Sequence, residues 1–362
     1  MIVINARFLC QETTGVQRFA EQICYELNRL RTDIVFVAPM NIVNHAGAKK
    51  LGIQTFGRFS GHLWEQLELP RYLHTLGSPL LVTLTNTAPI LYKNQVATHH
   101  DISYIRHPES YSRAFRSTYK LMTPILLRNI RSLITVSQFS ATEISNYYNY
   151  PMDKIMVIGN APSKIFAEPQ EVRDSSFLLA VSTPAPHKNF ANLLQAFNQI
   201  RHLFDVELRI VGGHNKSFAH VELSTEASQH QVKLLGRISD AELLDQYQGA
   251  YALVVPSLYE GFGLPAIEAQ ACGCPVISSN AASLPEIMQK SAVFFDPLDV
   301  SSIAGAMAEI LTNQALRQRL RAEGLVNSAR YSWDASALKL SNYLDGLIAN
   351  QTPDELSQGF PY

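Results

Sequence analysis

The sequence predicts an α/β protein built from two doubly wound, parallel-sheet domains. Short apolar strands alternate with amphipathic helices along most of the chain, as in repeated strand–helix units. The 362 residues exceed the size at which one hydrophobic core usually stops growing. Charged residues make up 17% of the chain, below the average of about 25%, and this favours a large buried strand surface.

The first domain opens with an apolar strand at Met1–Asn5, followed by a polar loop and by apolar residues at helical spacing from Val16 to Leu30. Thr14 or Gly15 lies near the predicted helix cap. The loop has no G-x-G-x-x-G, so an NAD-dependent oxidoreductase is disfavoured. Further elements are predicted as strands at 34–38, 80–84, 96–99, 133–137 and 155–158, and as a helix at 110–130 that is interrupted at Pro124.

The second domain is predicted to start with a strand at 177–181, after a charged, unpatterned linker at 168–176. A long helical region is predicted at 301–330, and a last helix at Trp333–Ile348. Buried strands are predicted at 206–211, 232–235, 251–255, 274–278 and 292–295. The domains are therefore predicted at 1–167 and 168–332, with 333–362 as a C-terminal helix and tail.

The stretch from Leu258 to Glu286 is the most informative part of the chain. Gly261 and Gly263 let the backbone bend and approach a ligand closely. Pro265 suits the first position of a helix, where its missing N–H costs nothing. A glycine-rich loop that leads into a helix N-terminus presents free N–H groups and a favourable dipole, so the stretch predicts an anion site.

Two carboxylates, Glu260 and Glu268, bracket this predicted anion site. Alone, such a pair is compatible with an ordinary capped helix that carries solvated glutamates. Beside an anion site, however, the carboxylates need hydroxyls or cations to bind. A sugar nucleotide carries both phosphate and hydroxyl groups and would satisfy this requirement.

The segments EGFGLPAIE and ACGCPVISSNAASLPEI resemble the E-x7-E region of retaining glycosyltransferases of family 4. The resemblance implies the GT-B fold, in which two Rossmann-like domains face a central cleft and the last helix crosses back to the first domain. It implies that residues 1–167 form the acceptor-binding domain and residues 168–332 the donor-binding domain. It implies that Glu260 contacts the transferred sugar and that Glu268 holds the nucleotide ribose. The donor-binding loop would then comprise Gly261, Phe262, Gly263, Leu264 and Pro265, with backbone N–H groups at 262–264 directed at the sugar and pyrophosphate.

Four more donor-side positions are implied by this resemblance. Lys188 follows the strand at 177–181 at a strand-to-helix junction, where its ammonium group would neutralise the donor diphosphate. Gly15 would lie against the donor phosphates, and Arg237 would flank the nucleotide base. Ser182 stands where many members have an arginine, so the charge on the diphosphate would rest on Lys188. Without the resemblance, the sequence favours a solvated residue in a first helical turn for Lys188 and a plain turn for Gly15.

A reaction centre is predicted at His100 and Asp101, which follow the strand at 96–99. Ligands in open α/β sheets bind at the carboxyl ends of strands, and imidazole titrates near neutral pH. The alternative is a core or turn histidine. A similar His-Asp pair occurs in the family at the cleft between donor and acceptor, so the resemblance implies that Glu260, Lys188, His100 and Asp101 act in the reaction.

The predicted reaction moves a hexose from a nucleoside diphosphate sugar to a hydroxyl group with retention of configuration. No cofactor is expected, and no metal ion, because D-x-D is absent. The segments 63–66 and 279–286 resemble bacterial mannosyltransferases of surface-polysaccharide assembly. They favour GDP-mannose as the donor and a lipid-linked oligosaccharide in lipopolysaccharide, O-antigen or capsule synthesis as the acceptor. Alternatives are a rhamnosyl or other hexosyl transfer from a dTDP- or UDP-sugar, and a non-catalytic sugar-nucleotide-binding protein.

The predicted location is cytoplasmic, with peripheral contact at the inner face of the plasma membrane. The net charge of −1 gives no reason to expect nucleic acid, and no apolar run is long enough to cross a bilayer. The helix at 110–130 has basic residues on one face and apolar residues on the opposite face. Such a helix fits an anionic lipid surface or, alternatively, a solvated helix face.

Overall fold

The computed structural model describes residues 1–170, 177–213 and 231–349, so residues 171–176 of the predicted linker lie outside the described residues. These residues form two compact units. Unit 1 comprises Met1–Ile102, Arg113–Asn160 and the chain from Trp333, and unit 2 comprises Ser103–Ser112 and Ala161–Ser332. The units divide at Asn160/Ala161, and the short segment Ser103–Ser112 belongs to the second unit although the chain on both sides of it belongs to the first.

Unit 1 contains a seven-stranded sheet in the order β3-β2-β1-β4-β5-β6-β7, with every pairing parallel. The strands are β1 Ile2–Asn5, β2 Ile34–Ala38, β3 Gln54–Thr55, β4 Leu80–Thr83, β5 Gln95–Thr98, β6 Ser132–Thr135 and β7 Ile155–Val157. The strand order reverses between β1 and β4. This is the topological switch point of a doubly wound sheet, where ligands usually bind.

The helices of unit 1 cover both faces of this sheet, because a buried parallel sheet needs a layer on either side. They are α1 Gly15–Leu30, α2 His45–Leu51, α3 Gly61–Leu63, a π-helical turn Trp64–Glu68, α4 Leu69–Thr75, α6 Arg113–Asn129, α7 Gln138–Tyr148 and α14 Trp333–Ala349, while α5 Ser103–Arg106 belongs to unit 2. Consistent with that arrangement, β1 is buried along its whole length.

Unit 2 contains a six-stranded parallel sheet in the order β10-β9-β8-β11-β12-β13. Its strands are β8 Phe177–Val181, β9 Glu207–Val211, β10 Val232–Gly236, β11 Ala250–Val255, β12 Val276–Ser279 and β13 Val293–Phe295. Its remaining helices are α8 Phe190–Ile200, α9 Asp240–Gly249, α10 Leu264–Ala271, α11 Leu284–Met288, α12 Val300–Thr312 and α13 Gln314–Ser328. The prediction of two doubly wound α/β domains is confirmed.

The last helix, α14, packs within unit 1 against α1. The Trp333 and Phe19 rings meet edge to face at 6.1 Å between centroids. At the other end of α1, the guanidinium group of Arg31 donates to Asp345 at 2.7 Å and to the hydroxyl of Ser341 at 3.0 Å. The C-terminal helix is therefore part of the first unit, although it is far away in sequence from the strands that it covers.

The prediction of a break at Pro124 was wrong. The helix runs unbroken from Arg113 to Asn129, because the carbonyl group that loses its intrahelical partner belongs to the exposed residue Lys120, where water can replace that partner. The helical region predicted at 301–330 consists of two helices that meet at Asn313. The Asn313 side chain accepts the backbone N–H of Leu316 at 2.9 Å and so caps the second helix.

Across the described ranges, no helix combines the length and the apolar character that a bilayer crossing requires. The longest helices, α6 and α14, have 17 residues each. Both carry polar and charged side chains, in keeping with a solvated outer face.

Candidate active site

The glycine-rich loop of unit 2 leads into α10 as predicted, but the helix begins at Leu264 and Pro265 is its second residue. Proline is tolerated at this position as well, because the second N–H of a helix also lacks an intrahelical partner and its absence costs no hydrogen bond. Gly263 is the cap residue, with φ at 96°, a conformation that favours glycine. A Cβ atom there would also approach Leu284 Cδ2 to 2.7 Å, so the position has no room for a side chain.

The predicted residues Lys188 and Glu260 contact each other directly. Lys188 Nζ donates to Glu260 Oε1 at 2.8 Å, and the hydroxyl of Ser257 donates to the same oxygen at 2.8 Å. The hydroxyl of Ser283 donates to the Glu260 main-chain carbonyl at 2.9 Å. The two charged side chains are only 16% and 14% exposed. The structure thus brings the Lys188 ammonium group, from the turn after β8, into contact with the Glu260 carboxylate of the loop that precedes α10.

The sequence reasoning missed how the Lys188 turn is held. His187 is buried, and its Nδ1 lies 2.8 Å from the Ser110 hydroxyl, to which its backbone N–H also donates at 3.2 Å. The Tyr111 ring is stacked on the His187 ring at 6.0 Å. On the other side, the Leu258 backbone N–H donates to the His187 carbonyl at 2.8 Å. The Ser103–Ser112 segment therefore braces the turn, through contacts that no local sequence pattern reveals.

Glu268 is buried on the inner side of α10. Tyr247 donates its hydroxyl to Glu268 Oε2 at 3.2 Å. Burial, and secondarily the negative charge of Glu268, raise the pKa of Tyr247 well above its ordinary value. The tyrosine is consequently a protonated donor that orients this carboxylate. Sequence spacing alone does not reveal this tyrosine, which lies on α9.

The other predicted donor residues of unit 2 occupy several loops at the carboxyl ends of its strands. Ser182 follows β8 and donates its backbone N–H to the Val211 carbonyl at 3.0 Å. Arg237 follows β10 and is exposed. Gly261 and Phe262 are buried, and the Phe262 ring packs edge to face on Tyr331 at 5.4 Å. Phe262 thus anchors the loop by its side chain.

His100 of unit 1 is buried at the end of the strand β5. Its Nε2 lies 3.2 Å from the Leu84 carbonyl. Because a carbonyl only accepts, Nε2 carries the proton and Nδ1 is the acceptor. Asn86 Oδ1 accepts the His100 backbone N–H at 2.8 Å, and the Phe19 ring packs edge to face at 4.9 Å. Burial lowers the pKa of His100, which favours the neutral imidazole. Asp101 follows directly and is partly buried.

Gly15 is the first residue of α1, and Thr14 is its cap. The Gln17 side chain accepts the Thr14 backbone N–H at 3.1 Å, which closes a capping box. A Cβ atom added at Gly15 would meet nothing within 4 Å. Internal packing therefore does not require glycine at this position. A ligand that approaches the backbone closely here would require it.

The chain is similar to known families and proteins along most of its length. Residues 13–161 match the family profile described as Glycosyltransferase Family 4, and residues 163–325 match the one described as Glycosyl transferases group 1. O-antigen chain mannosyltransferase B of Escherichia coli is 30% identical over 261 residues, which cover 68% of each chain. O-antigen chain mannosyltransferase RfbU of Salmonella typhimurium is 31% identical over 278 residues, 76% of each chain.

Among solved structures, Anabaena Alr3699/HepE in complex with UDP-glucose matches with a TM-score of 0.76 at 16% identity. The match covers 95% of this chain and 99% of that one. At this identity the likeness establishes the fold, and the family follows from the sequence relatives. With both halves matched and relatives of at least 30% identity covered over two thirds of their length, the chain belongs to the family 4 glycosyltransferases with the GT-B fold, and it is a glycosyltransferase.

Proposed function

We propose that this protein is a retaining mannosyltransferase that uses GDP-mannose and acts on a lipid-linked glycan in O-antigen or related surface-polysaccharide assembly. The observation that carries the proposal is the pair formed by Lys188, in the turn after β8, and Glu260, in the loop before α10. A cation and a carboxylate in contact beside free helix N–H groups suit a ligand with both phosphate and hydroxyl groups. The mannosyl specificity rests on the two O-antigen mannosyltransferases to which the chain is similar.

In the proposed reaction, the bond between the anomeric carbon and the leaving phosphate oxygen breaks while a bond to the acceptor oxygen forms. The acceptor proton passes to the leaving phosphate oxygen. Lys188 and the N-terminus of α10 stabilise the negative charge that develops on the diphosphate. Glu260 accepts hydrogen bonds from sugar hydroxyls. In unit 1, the neutral His100 side chain offers Nδ1 as a hydrogen-bond acceptor.

Attack and departure on the same face of the sugar retain the anomeric configuration. No metal ion takes part in the proposed reaction. A covalent carboxylate intermediate is the alternative route to retention, and trapping of a glycosyl-enzyme adduct by mass spectrometry would replace the first route by the second. The anomeric configuration of the product, read by NMR, tests retention itself.

The donor is tested by hydrolysis of a panel of GDP-, UDP- and dTDP-sugars. We expect GDP-mannose to have the highest kcat/KM, because the nucleotide and the hexose are both recognised. A preference for a dTDP- or UDP-sugar would transfer the assignment to a rhamnosyl- or other hexosyltransferase. Binding without hydrolysis or transfer, and biological activity that survives both Glu260→Ala and His100→Ala, would indicate a non-catalytic sugar-nucleotide-binding protein.

A lipid-linked acceptor is supported by the charge distribution of unit 1. Residues 69–100 and 110–142 contain no aspartate or glutamate, but they contain Arg71, Lys93, Arg113, Arg116, Lys120, Arg128 and Arg131. Leu91 and Leu121 are exposed within these ranges, and Leu63 and Leu67 are exposed shortly before the first range. Gln66 and Asn129 bind the 88–90 loop from two sides, so the helical segments that carry these leucines are neighbours. A basic surface with protruding leucines suits the surface of an anionic bilayer.

We expect the variant Leu91→Glu/Leu121→Glu to bind phosphatidylglycerol-containing vesicles about tenfold or more weakly than the parent, because each exposed leucine would bury apolar surface in the lipid. Co-sedimentation with vesicles measures this. The matched control is Leu203→Glu, an exposed leucine of unit 2 (65%, against 68% for Leu121), which should leave binding unchanged. Equal loss in both variants, or equal binding to pure phosphatidylcholine, would contradict a specific anionic contact.

A further inference from the structure

Two aromatic residues flank the point at which the chain passes from unit 2 to unit 1. Unit 2 ends at Ser332, and Trp333 is the first residue of α14 in unit 1. Tyr331, directly before Ser332, is half-buried, and Trp333 is buried. Each of the two rings packs against a different part of the candidate site, and each contact lies within one unit.

Tyr331 holds the glycine-rich loop at 261–263 by its ring and α11 by its hydroxyl. The ring meets the Phe262 ring edge to face, with 5.4 Å between centroids. The hydroxyl donates to the Ile287 carbonyl at 3.0 Å, and burial raises the pKa of Tyr331, so this donor stays protonated. Phe262 is 4% exposed and precedes Gly263, the cap of α10. Tyr331 therefore fixes the loop that presents the α10 N-terminus.

Trp333 supports His100 through one intervening ring. The Trp333 indole meets the Phe19 ring at 6.1 Å between centroids, and the Phe19 ring meets the His100 imidazole edge to face at 4.9 Å. Among the described residues, the Trp333 indole N–H has no hydrogen-bond partner, so packing alone orients this ring. Further along α14, the Ser336 hydroxyl donates to the Gly159 carbonyl at 2.9 Å and fixes the helix to unit 1. A shift of Trp333 would change the surface on which Phe19 and the imidazole pack.

The chain itself joins these two contacts. Only Ser332 separates Tyr331 from Trp333, and two residues of extended chain span at most about 7 Å. So short a connection has no slack to absorb a shift of either ring. A movement of the loop that carries Phe262 is therefore passed on through Tyr331 to Trp333.

We infer that Tyr331 and Trp333 are positioning residues that couple the glycine-rich loop to the orientation of the His100 imidazole. Tyr331 acts through Phe262, and Trp333 acts through Phe19. Coupling of this kind is carried by packed side chains, and it is demonstrated by substitutions whose effects appear at the distant site. The inference rests on the proposed function for the part that the loop and His100 play in sugar transfer, whereas the coupling itself is independent of it.

Substitution of Tyr331 tests the coupling from unit 2. Tyr331→Leu removes the ring from Phe262, whereas Tyr331→Phe keeps the ring and removes only the hydroxyl. Tyr251→Leu is the matched control, because Tyr251 is also half-buried in unit 2 but lies at the amino end of β11, whose carboxyl end leads to the loop. Two measurements use the full chain without a ligand: hydrogen–deuterium exchange of the backbone at 258–266, and NMR of the His100 ring in selectively labelled protein.

We expect Tyr331→Leu to speed exchange at 258–266 by about fivefold, the size of one aromatic contact, and to shift the His100 ring resonances. Tyr331→Phe and Tyr251→Leu should leave both measurements near the parental values. Unchanged His100 resonances in Tyr331→Leu, or unchanged exchange at 258–266, would overturn the inference. Equal changes in Tyr251→Leu would also overturn it, because they would indicate a general loosening of unit 2.

Trp333→Leu tests the coupling in the opposite direction. It removes the ring that packs on Phe19 and should speed exchange at 258–266 by about twofold, although those residues belong to the other unit. In Tyr331→Leu/Trp333→Leu, exchange should be no faster than in Tyr331→Leu, because either substitution breaks the same link. Effects that multiply would contradict the coupling. If Trp333→Leu does not fold, the half-buried Tyr331 position decides the question alone.

Donor hydrolysis separates this inference from the proposed function. Tyr331→Leu should lower kcat/KM for the preferred nucleotide sugar by about tenfold, because misplaced groups lose rate, and parental kcat/KM would remove Tyr331 from a positioning role. If the parent hydrolyses no nucleotide sugar but the His100 resonances respond to Tyr331→Leu, the proposed function fails and the coupling stands. If the parent hydrolyses a donor but the His100 resonances do not respond, the coupling fails and the proposed function stands.

Discussion

Lys188→Met should lower kcat by about 100- to 1,000-fold, the usual effect of removing one group that stabilises charge in a transition state. The donor diphosphate gains negative charge as the glycosidic bond breaks, and Ser182 supplies no second cation at the position where the family resemblance predicts an arginine. The substitution keeps most of the unbranched side chain and removes the ammonium group, with both its charge and its hydrogen bond to Glu260. Steady-state rates of transfer or donor hydrolysis measure the effect.

The Lys188 experiment has two controls. Lys290→Met removes an exposed lysine of the same unit and should leave kcat within about twofold. Lys188→Met/Glu260→Gln removes both charges of the pair and should be no more active than Lys188→Met. Recovery of activity in this double variant would mean that the single substitution acted by leaving Glu260 uncompensated. A loss below about threefold in Lys188→Met would remove Lys188 from the proposed charge-stabilising role.

Glu65→Gln should lower the free energy of unfolding by about 3–5 kcal/mol, because it leaves the buried guanidinium group of Arg7 without its carboxylate. Arg7 and Glu65 have side-chain exposures of 7% and 0%. Urea unfolding followed by circular dichroism measures the change. Asp334→Asn breaks an exposed pair with Arg29 at 3.5 Å in the same unit and should change stability by about 0.5 kcal/mol or less.

At acidic pH, the free energies of unfolding of Glu65→Gln and of the parent should become equal. Burial acts to raise the pKa of Glu65, but Arg7 and the hydrogen bonds from neighbouring side chains outweigh it and hold the pKa below its ordinary value. The carboxylate therefore stabilises the fold above the ordinary glutamate pKa, and this contribution is lost as pH falls through the lower folded-state value. Arg7→Met/Glu65→Met, which removes both charges, should recover most of the stability. A loss of unfolding free energy in Glu65→Gln that does not change with pH would contradict an ionic origin of the stabilisation.

Much of the fold follows from local patterns. The two sheets and most strand positions are predictable because fully buried parallel strands are continuous apolar runs, such as β1 and β11. Helix boundaries that depend on a single hydrogen bond are harder to predict from the sequence. Asn313 divides a helical region by bonding to Leu316, and Pro124 continues a helix that its residue type predicts to break.

In the candidate site, too, some features can be predicted from local sequence and others cannot. Glu260, Glu268 and the glycine turn are adjacent in sequence, so spacing and resemblance suffice to select them. The contacts of Lys188 with Glu260, of His187 with Ser110 and of Glu268 with Tyr247 join residues separated by 72, 77 and 21 positions. No local pattern encodes such pairs.

The sequence by itself determined the α/β class, the glycine-rich helix start and the family, because each depends on residue type and short-range order. Only the tertiary structure decided that Arg7 pairs with Glu65 and that Lys188 pairs with Glu260. It also decided that a cavity of unit 1, lined by amide side chains and two aromatic rings, lies beside His100. These features depend on which loops meet at the carboxyl ends of neighbouring strands. That meeting is set by strand order, and strand order is a property of the whole sheet.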